Sequence, residues 1–172
     1  MAPTDYSKSP TKSAKLGKEL LNACYFGNTA LAMKLIERGA EPSYTDPRDG
    51  WAGIHYAARW GKIRLIDALV KAGVDINLRT TGKETALHKA CRSDRKDVVI
   101  WMLRHGANGN AMNGDGNTAS QLTADNEIKN ILDNFDEFLE KWKEEKRLGI
   151  SKSVGGSQSH SRSSSPRAAS RK

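Results

Sequence analysis

The sequence predicts an all-α solenoid, built from repeated helix–turn–helix units that are joined by β-hairpin loops. The main observation is a repeat period: His55 and His88 are 33 residues apart, and a further 33 residues lead to Gln121. Glycines follow the same spacing, at intervals of 33 or 34 residues: Gly27 and Gly61 in one set, and Gly39, Gly73 and Gly106 in the other. Several independent positions that share one period indicate stacked repeats.

Within each unit, the apolar residues predict two short helices. In the second unit, Ile54, Ala57 and Ala58 give the first helix one apolar face. The second helix has a broader apolar stripe: Ile63, Leu65, Ile66, Leu69 and Val70. Gly61 and Gly73 come where these helices must end, and both suit a left-handed C-cap. A single helix pair cannot bury its apolar face, so the units are expected to stack into one continuous core.

Four units are predicted, at about residues 15–48, 49–81, 82–114 and 115–148. The fourth is expected to continue as one long capping helix that ends near Gly149. Its apolar stripe consists of Ile131, Leu132, Phe135, Phe138, Leu139 and Trp142. In the alternative interpretation, this helix is partly free to bind another molecule, with Trp142 as the anchor.

Both ends of the chain are predicted to be disordered, at residues 1–14 and 149–172, because they are rich in Ser and basic residues and poor in apolar ones. The net charge of the whole chain is +8, and residues 149–172 contribute five basic residues and no acidic ones. Much of the basicity therefore lies outside the predicted fold, and only weak nucleic-acid binding is expected from it. Ser9, Ser165 and Ser170 are candidate phosphorylation sites, next to Pro or three residues after Arg.

Composition also narrows the classes of protein to consider. No apolar run approaches the roughly 18 residues of a membrane helix, and the N-terminus has no apolar signal segment, so no membrane association is expected. The two cysteines of the chain cannot form a disulfide framework. These features predict an intracellular protein, located in the cytoplasm, the nucleus or both.

Several segments of the repeat resemble those of the ankyrin-repeat family. These are GIHYAARWG and ALHKACRSD around the two histidines, and then LIERGAEPS, LVKAGVDIN and MLRHGANGN. The resemblance covers about residues 15–134 and is weaker in the first and fourth units, as is usual for capping repeats. It implies a monomeric protein that binds other proteins and is not an enzyme.

The same resemblance implies structural roles for His55 and His88, which in the family bond to a Thr of their own repeat and to nearby backbone. Thr85 is present for His88, but Ala52 replaces the Thr before His55, which must find other partners. Cys24 and Cys91 occupy a repeat position that also holds alanine, which favours inert packing. The sequence has no metal-ligand spacing and no phosphate-binding loop, so no catalytic residue, metal or cofactor is predicted.

Ankyrin repeats commonly bind proteins through the hairpin tips and the exposed side of the first helices. At those positions the resemblance points to Tyr25, Phe26, Arg48, Trp51, Arg59, Trp60, Glu84, Arg92, Asn117 and Asp125. We expect a binding patch centred on Trp51, Arg59 and Trp60, because Trp, Tyr and Arg are enriched at binding hot spots. In the alternative, some of these residues, Phe26 and Trp51 above all, pack against a neighbouring repeat or hairpin.

The predicted function is therefore that of an adaptor or scaffold that binds a protein on the concave face of the repeats. Residues 15–112 carry 16 basic and 10 acidic residues, whereas residues 113–148 carry 5 and 9, so an acidic or phosphorylated partner is expected at the repeats. A second hypothesis is an inhibitor or assembly chaperone of a kinase or a multi-subunit complex. A third is weak nucleic-acid association through the basic tail.

Overall fold

The computed structural model describes residues 12–149, and in this part the chain forms eight α-helices and one 3₁₀ helix. The α-helices are α1 Lys12–Tyr25, α2 Thr29–Glu37, α3 Gly53–Arg59, α4 Ile63–Lys71, α5 Ala86–Arg92, α6 Lys96–Arg104, α7 Asn126–Asp133 and α8 Phe135–Arg147, with the 3₁₀ helix Ala119–Leu122 before α7. Isolated β-bridges close the hairpin loops between the units: Thr45–Ala52, Arg79–Thr85 and Met112–Thr118.

The helices stack in two layers, which confirms the predicted all-α solenoid. In one layer α1, α3, α5 and the 3₁₀ helix contact each other in that order, and in the other α2, α4, α6 and α7 do so. One continuous core runs between the layers, with side chains such as Leu20, Ile54 and Leu87 from the first layer and Leu69 and Leu103 from the second. We call the exposed side formed by α1, α3 and α5 the first-helix face. Within residues 12–149, no helix is both long enough and apolar enough to cross a bilayer.

Left-handed backbone ends the helices where the repeat pattern places glycine. All five of these glycines have positive φ angles: Gly27, Gly39, Gly61, Gly73 and Gly106. In the third unit the position of Gly27 and Gly61 is taken by Asp94, which keeps the positive φ of 49°. Its carboxylate accepts a hydrogen bond from Thr123 Oγ1 at 2.5 Å, which links the third unit to the fourth.

The buried histidines hold each first helix to the hairpin of the next unit. His55 Nδ1 accepts from the Ala52 N–H at 3.0 Å, and its Nε2 donates to the Leu78 carbonyl at 3.0 Å. The backbone of Ala52 thus supplies the partner that its side chain cannot. His88 Nδ1 lies 2.8 Å from Thr85 Oγ1, and its Nε2 donates to the Asn117 carbonyl at 3.3 Å. Burial lowers the pKa of His55 to about 4 and also lowers the pKa of His88.

The first helix begins at Lys12, three residues before the predicted start of the folded part at residue 15. Ser13 explains the difference, because its Oγ donates to the Gly39 carbonyl at 3.2 Å and its own carbonyl accepts from the Glu41 N–H at 3.4 Å. These bonds tie the start of α1 to the end of α2. The predictions for residues 1–11 and 150–172, with the candidate phosphorylation sites Ser9, Ser165 and Ser170, lie outside the described residues.

The prediction of one long capping helix is wrong, because the helix breaks at Asn134 into α7 and α8. The Asn134 backbone has φ −109° and ψ 35°, and its side-chain amide donates to the Asn130 carbonyl at 3.0 Å. The Asn134 N–H also donates to the Asn130 carbonyl at 3.1 Å, and the Phe138 N–H donates to the Asn134 carbonyl at 3.0 Å, so the break is a local change of backbone angles and not a loss of these hydrogen bonds. Helix α8 contacts α6 through the Arg104 guanidinium, which lies 5.7 Å from the Phe138 ring centroid and 5.6 Å from that of Trp142. No residue of α8 is fully buried, so α8 covers the end of the stack only loosely.

Candidate protein-binding site

A row of four aromatic rings crosses the first-helix face from the first unit to the second. The Phe26 and Tyr25 rings are perpendicular, with centroids 5.0 Å apart, and Tyr25 meets Tyr56 edge-on at 5.4 Å. Tyr56 in turn packs against Trp51 at 4.7 Å. The row therefore joins the end of α1 to the start of α3.

The outer part of this row and the neighbouring Trp60 are exposed to solvent. The exposed fraction is 78% for Phe26, 53% for Tyr25 and 44% for Trp60, whereas Tyr56 is buried. Trp60 follows the last residue of α3, and its indole N–H donates to the Tyr25 carbonyl at 3.0 Å. This hydrogen bond fixes the indole ring of the second unit against the end of α1.

Together these side chains form an open pocket of about 370 Å³ that is lined by Tyr25, Phe26, Tyr56, Arg59 and Trp60. We call this set of five residues the aromatic pocket. A smaller hollow of about 190 Å³ shares three of the rings and is lined in addition by Leu21, Asn22, Asp46 and Arg48. Two adjoining depressions with aromatic walls therefore lie on the first-helix face.

Arg59 is the charged residue of the aromatic pocket. Its guanidinium carbon lies 5.8 Å from the Trp60 ring centroid, and its side chain is in no ion pair with any residue in the range 12–149. The Arg59 carbonyl accepts a hydrogen bond from Arg95 Nε at 3.2 Å, which brings a second cation close. The pocket is consequently apolar on its walls and positive at its rim.

Arg48, at the edge of the smaller hollow, is held by a carboxylate of its own hairpin. Its Nη2 donates to Asp46 Oδ2 at 2.9 Å and its Nε to Asp46 Oδ1 at 3.2 Å. The hydrogen bonds from the Arg48 side chain and backbone lower the pKa of Asp46 to about 2. Asp46 was not among the predicted site residues, although it lies only two positions before Arg48 in the same hairpin.

The expected centre of the patch needs correction, because Trp51 is half-buried. Its ring packs between Tyr56 and the Lys89 side chain, with Lys89 Nζ 4.0 Å from the ring centroid. The alternative prediction, that Phe26 and Trp51 pack against a neighbouring repeat or hairpin, thus describes Trp51. It does not describe Phe26, which is exposed. Trp51 supports the inner end of the aromatic row and does not line the aromatic pocket.

Glu84 and Arg92, which were predicted to bind a partner, already form a small ion cluster. Lys89 is only 7% exposed and pairs with Glu84, whose other carboxylate oxygen accepts from Arg92 Nη2 at 2.6 Å. Burial raises the pKa of Glu84, but the Lys89 hydrogen bond and the two positive charges outweigh this and hold it below its usual value. Through the contact of Lys89 with Trp51, the cluster connects the second unit to the third.

The last two predicted residues have structural roles in the fourth unit. The Asn117 carbonyl accepts the hydrogen bond from His88, as described above. The Asp125 side chain caps α7 by accepting from the Glu127 N–H at 2.7 Å and the Ile128 N–H at 3.3 Å. Neither residue extends the aromatic pocket.

Two residues that shape the site, Tyr56 and Lys89, were missed in the sequence. Each directly follows a repeat histidine and lies three residues before Arg59 or Arg92. Residues three apart in a helix share one face. The spacing from the arginines could therefore have placed both residues on the first-helix face.

The two cysteines lie in the core, and neither is exposed. Burial raises the pKa of both the Cys24 and the Cys91 thiol to about 12. Both thiols therefore stay protonated at neutral pH. Because the thiolate is the nucleophilic form, this environment suits packing and not covalent chemistry.

Comparison with known proteins identifies the repeats of this chain. Residues 20–113 match a family model described as ankyrin repeats in three copies. The chain is 34% identical over 86 residues to protein phosphatase 1 regulatory subunit 27 of Homo sapiens, which is 50% of this chain and 55% of that protein. It is 36% identical over 77 residues to ankyrin repeat domain-containing protein 40 of Homo sapiens, which is 44% of this chain and 21% of that protein.

A longer alignment is made with the E3 ubiquitin-protein ligase KEG of Arabidopsis thaliana, at 29% identity over 106 residues. It covers 62% of this chain but only 6% of the ligase. The chain thus spans between 6% and 55% of the length of these three relatives. The family model matches more than half of the chain, from within α1 to the hairpin that follows α6. The chain therefore belongs to the ankyrin-repeat family, whose repeats are protein–protein interaction modules.

Proposed function

We propose that this protein is a non-enzymatic adaptor that binds a partner protein through the aromatic pocket on its first-helix face. The observation that carries the proposal is the exposure of three large aromatic side chains, Tyr25, Phe26 and Trp60, around one pocket. Clustered apolar side chains are unfavourable in water and mark interaction sites. Trp, Tyr and Arg are also the residues most enriched at binding hot spots.

The rigidity of the pocket supports the same proposal. The Trp60 hydrogen bond to the Tyr25 carbonyl and the ring contacts of Tyr25 with Phe26 and Tyr56 hold the walls in place before any ligand arrives. Because the Trp60 ring is already fixed by its hydrogen bond, it loses little side-chain entropy on binding, which favours affinity. The free thiols of Cys24 and Cys91 fit a reducing compartment, and we place the protein in the cytoplasm, the nucleus or both.

A second candidate function is the regulation of an enzyme as an inhibitory or assembly subunit. It is favoured by the similarity to protein phosphatase 1 regulatory subunit 27, which covers half of this chain. Such a subunit would use the same pocket, so the two candidates differ in the partner and not in the site.

The proposal is tested by affinity capture from a cell lysate followed by mass spectrometry, with wild type, Phe26→Ala and Leu31→Ala as baits. Phe26 and Leu31 are both exposed apolar residues, but Phe26 lines the pocket whereas Leu31 lies on α2. We expect specific partners to be lost at least about tenfold with Phe26→Ala and retained with Leu31→Ala. Equal capture by all three baits, each shown to be folded by circular dichroism, would contradict the proposal.

A further inference from the structure

We infer that the aromatic pocket recognises a short acidic peptide segment of its partner: one large apolar side chain enters between the rings, and a neighbouring carboxylate binds Arg59. This inference rests on the proposed function and adds the chemistry of the partner. Three observations support it: the charge of the pocket, the ion pairs that the surrounding cations form, and the size of the two depressions.

Arg59 is the charged residue of the pocket lining and is in no ion pair within residues 12–149. Three nearby cations differ from it, because Arg48 is paired with Asp46, and Arg92 and Lys89 are both paired with Glu84. Arg95, like Arg59, is in no ion pair of the described residues, and its Nε donates to the Arg59 carbonyl. A carboxylate that arrives in the pocket therefore meets Arg59 without first displacing a carboxylate of this chain.

The region beyond Trp60 does not reverse this charge. The hollow there is lined by residues of both signs: Asp94, Arg95, Lys96 and Asp97. Two acidic and two basic residues give this lining no net formal charge. It therefore leaves the positive charge of Arg59 in the aromatic pocket in place, and the Arg95 side chain is bonded to the Arg59 carbonyl.

A cationic ligand fits this pocket poorly, although aromatic rings attract cations. The Arg59 guanidinium lies 5.8 Å from the Trp60 centroid and lines the same pocket, so it already occupies the position of a cation. A second positive group between the rings would lie within a few ångströms of it and be repelled. An apolar side chain flanked by negative charge satisfies both the rings and the guanidinium.

The dimensions favour an extended segment over a broad folded surface. An open pocket of about 370 Å³ has room for a large side chain, and the adjoining hollow of about 190 Å³ has room for a smaller one. Tyr25, Phe26 and Tyr56 form walls of both. A peptide that crosses these shared rings would place side chains in each depression and its acidic residue at Arg59.

The inference is tested by panning a random 12-residue peptide library on the full chain and measuring the affinity of synthetic versions of the enriched peptides. We expect enrichment of sequences with Phe, Tyr, Trp or Leu within two residues of Asp or Glu. Affinity should fall at least about fivefold with Arg59→Gln and further with Arg59→Glu. Arg64→Gln is the matched control, since Arg64 is exposed on α4 and in no ion pair of the described residues, and should leave affinity unchanged.

A charge swap sharpens the result: Arg59→Glu should bind more tightly to the same peptide when its acidic residue is replaced by Lys. Enrichment of basic or neutral peptides would overturn the inference. Enrichment of acidic peptides whose affinity is unchanged by Arg59→Gln would overturn it as well. If those peptides still depend on Phe26, the proposed binding site stands and only its acidic specificity fails. If no peptide is enriched while Phe26-dependent capture from lysate persists, the site binds a folded surface. The inference of a short acidic peptide then fails, and the proposed binding site stands. Peptides that are also insensitive to Phe26→Ala would contradict the proposed function as well.

Discussion

Two tryptophans at opposite ends of α3 show how single contacts decide what a residue does. Trp51 precedes the helix and is covered by the side chain of Lys89 from the next unit. Trp60 follows the helix, and its indole N–H is bonded to the preceding unit, which leaves 44% of the residue exposed. Both tryptophans therefore join two repeats, but only Trp60 lines the aromatic pocket.

A first prediction at the residue scale concerns Lys83, which has a positive φ of 57° at a hairpin tip. The left-handed region costs a residue with a side chain about 1–2 kcal/mol, whereas the flexibility of glycine costs about 0.5–1 kcal/mol. We expect Lys83→Gly to raise the free energy of unfolding by up to about 1 kcal/mol, measured by urea denaturation.

Gly116 provides the reciprocal control, because it takes the same repeat position with φ 79° and has no atom within 4 Å of an added Cβ. Gly116→Lys should lower the free energy of unfolding by about 1 kcal/mol through backbone strain alone. If Lys83→Gly and Gly116→Lys change stability in the same direction, the positive φ at these tips does not control the effect of the substitutions.

A second prediction at the residue scale concerns the pH dependence of stability. His55 is fully buried, and its pKa falls from 6.5 to about 4 in the folded chain, so the unfolded chain binds more protons between these values. Stability should therefore decline as the pH falls from 6.5 towards 4, by up to roughly 3 kcal/mol from this residue, with His88 adding in the same direction.

The variant that isolates this effect is His55→Gln. In the fourth unit Gln121 already holds the repeat histidine's position, and its Oε1 accepts from the Thr118 N–H at 2.8 Å. A glutamine at 55 can thus keep the local hydrogen bond without titrating. Urea denaturation at pH 7 and pH 5 should show a smaller loss of stability for His55→Gln than for wild type, and an equal loss would rule out His55 as the titrating group.

At the scale of elements, the C-terminal end of the stack differs from its middle. Helices α3 to α6 have neighbours on both sides along the stack, whereas α8 lies at its end. It contacts α6 and α7 through half-buried side chains: Phe135 packs against the core, and Phe138 and Trp142 lie against Arg104. Helix α8 is therefore a weakly held element on a rigid frame.

The third prediction follows from this attachment. Amide hydrogen exchange of α8 should be at least about tenfold less protected than that of α3 and α5, because no residue of α8 is fully buried. Trp142→Ala should reduce the protection of α8 further and leave α3 and α5 unchanged. Protection of α8 equal to that of α5 would contradict the description of α8 as a loosely attached helix.

The positions of the helices could be predicted from the sequence where the repeat spacing is regular. The period anchored on His55 and His88 placed the helix pairs, because the same backbone hydrogen bond recurs at His55, His88 and Gln121, and turns with positive φ recur at Gly27, Gly61 and Asp94. The break at Asn134 was not predictable in this way. The apolar stripe continues through it, and the break is a local change of the Asn134 backbone angles, which periodicity does not report.

At the scale of the whole molecule, the repeats provide a frame and the exposed residues provide the site. Phe26 and Trp60 could be selected from the sequence because they share an outward repeat position. That Trp51 is covered could not be predicted from the sequence, because the cover is the Lys89 side chain of the next unit. The charge of Lys89 is in turn neutralised by Glu84. Exposure is thus a property of the stack and not of any one repeat.

The central claim, that the aromatic pocket contacts the partner protein, is tested most directly by site-specific crosslinking. A photoreactive phenylalanine analogue is placed at position 26 in the pocket or, as the control, at position 31 on α2, and each protein is irradiated in lysate. Our account predicts a discrete crosslinked partner from position 26 that is absent from position 31 and is lost when Arg59→Glu is combined with the analogue. The same partner crosslinked from both positions, or from position 31 alone, would contradict it.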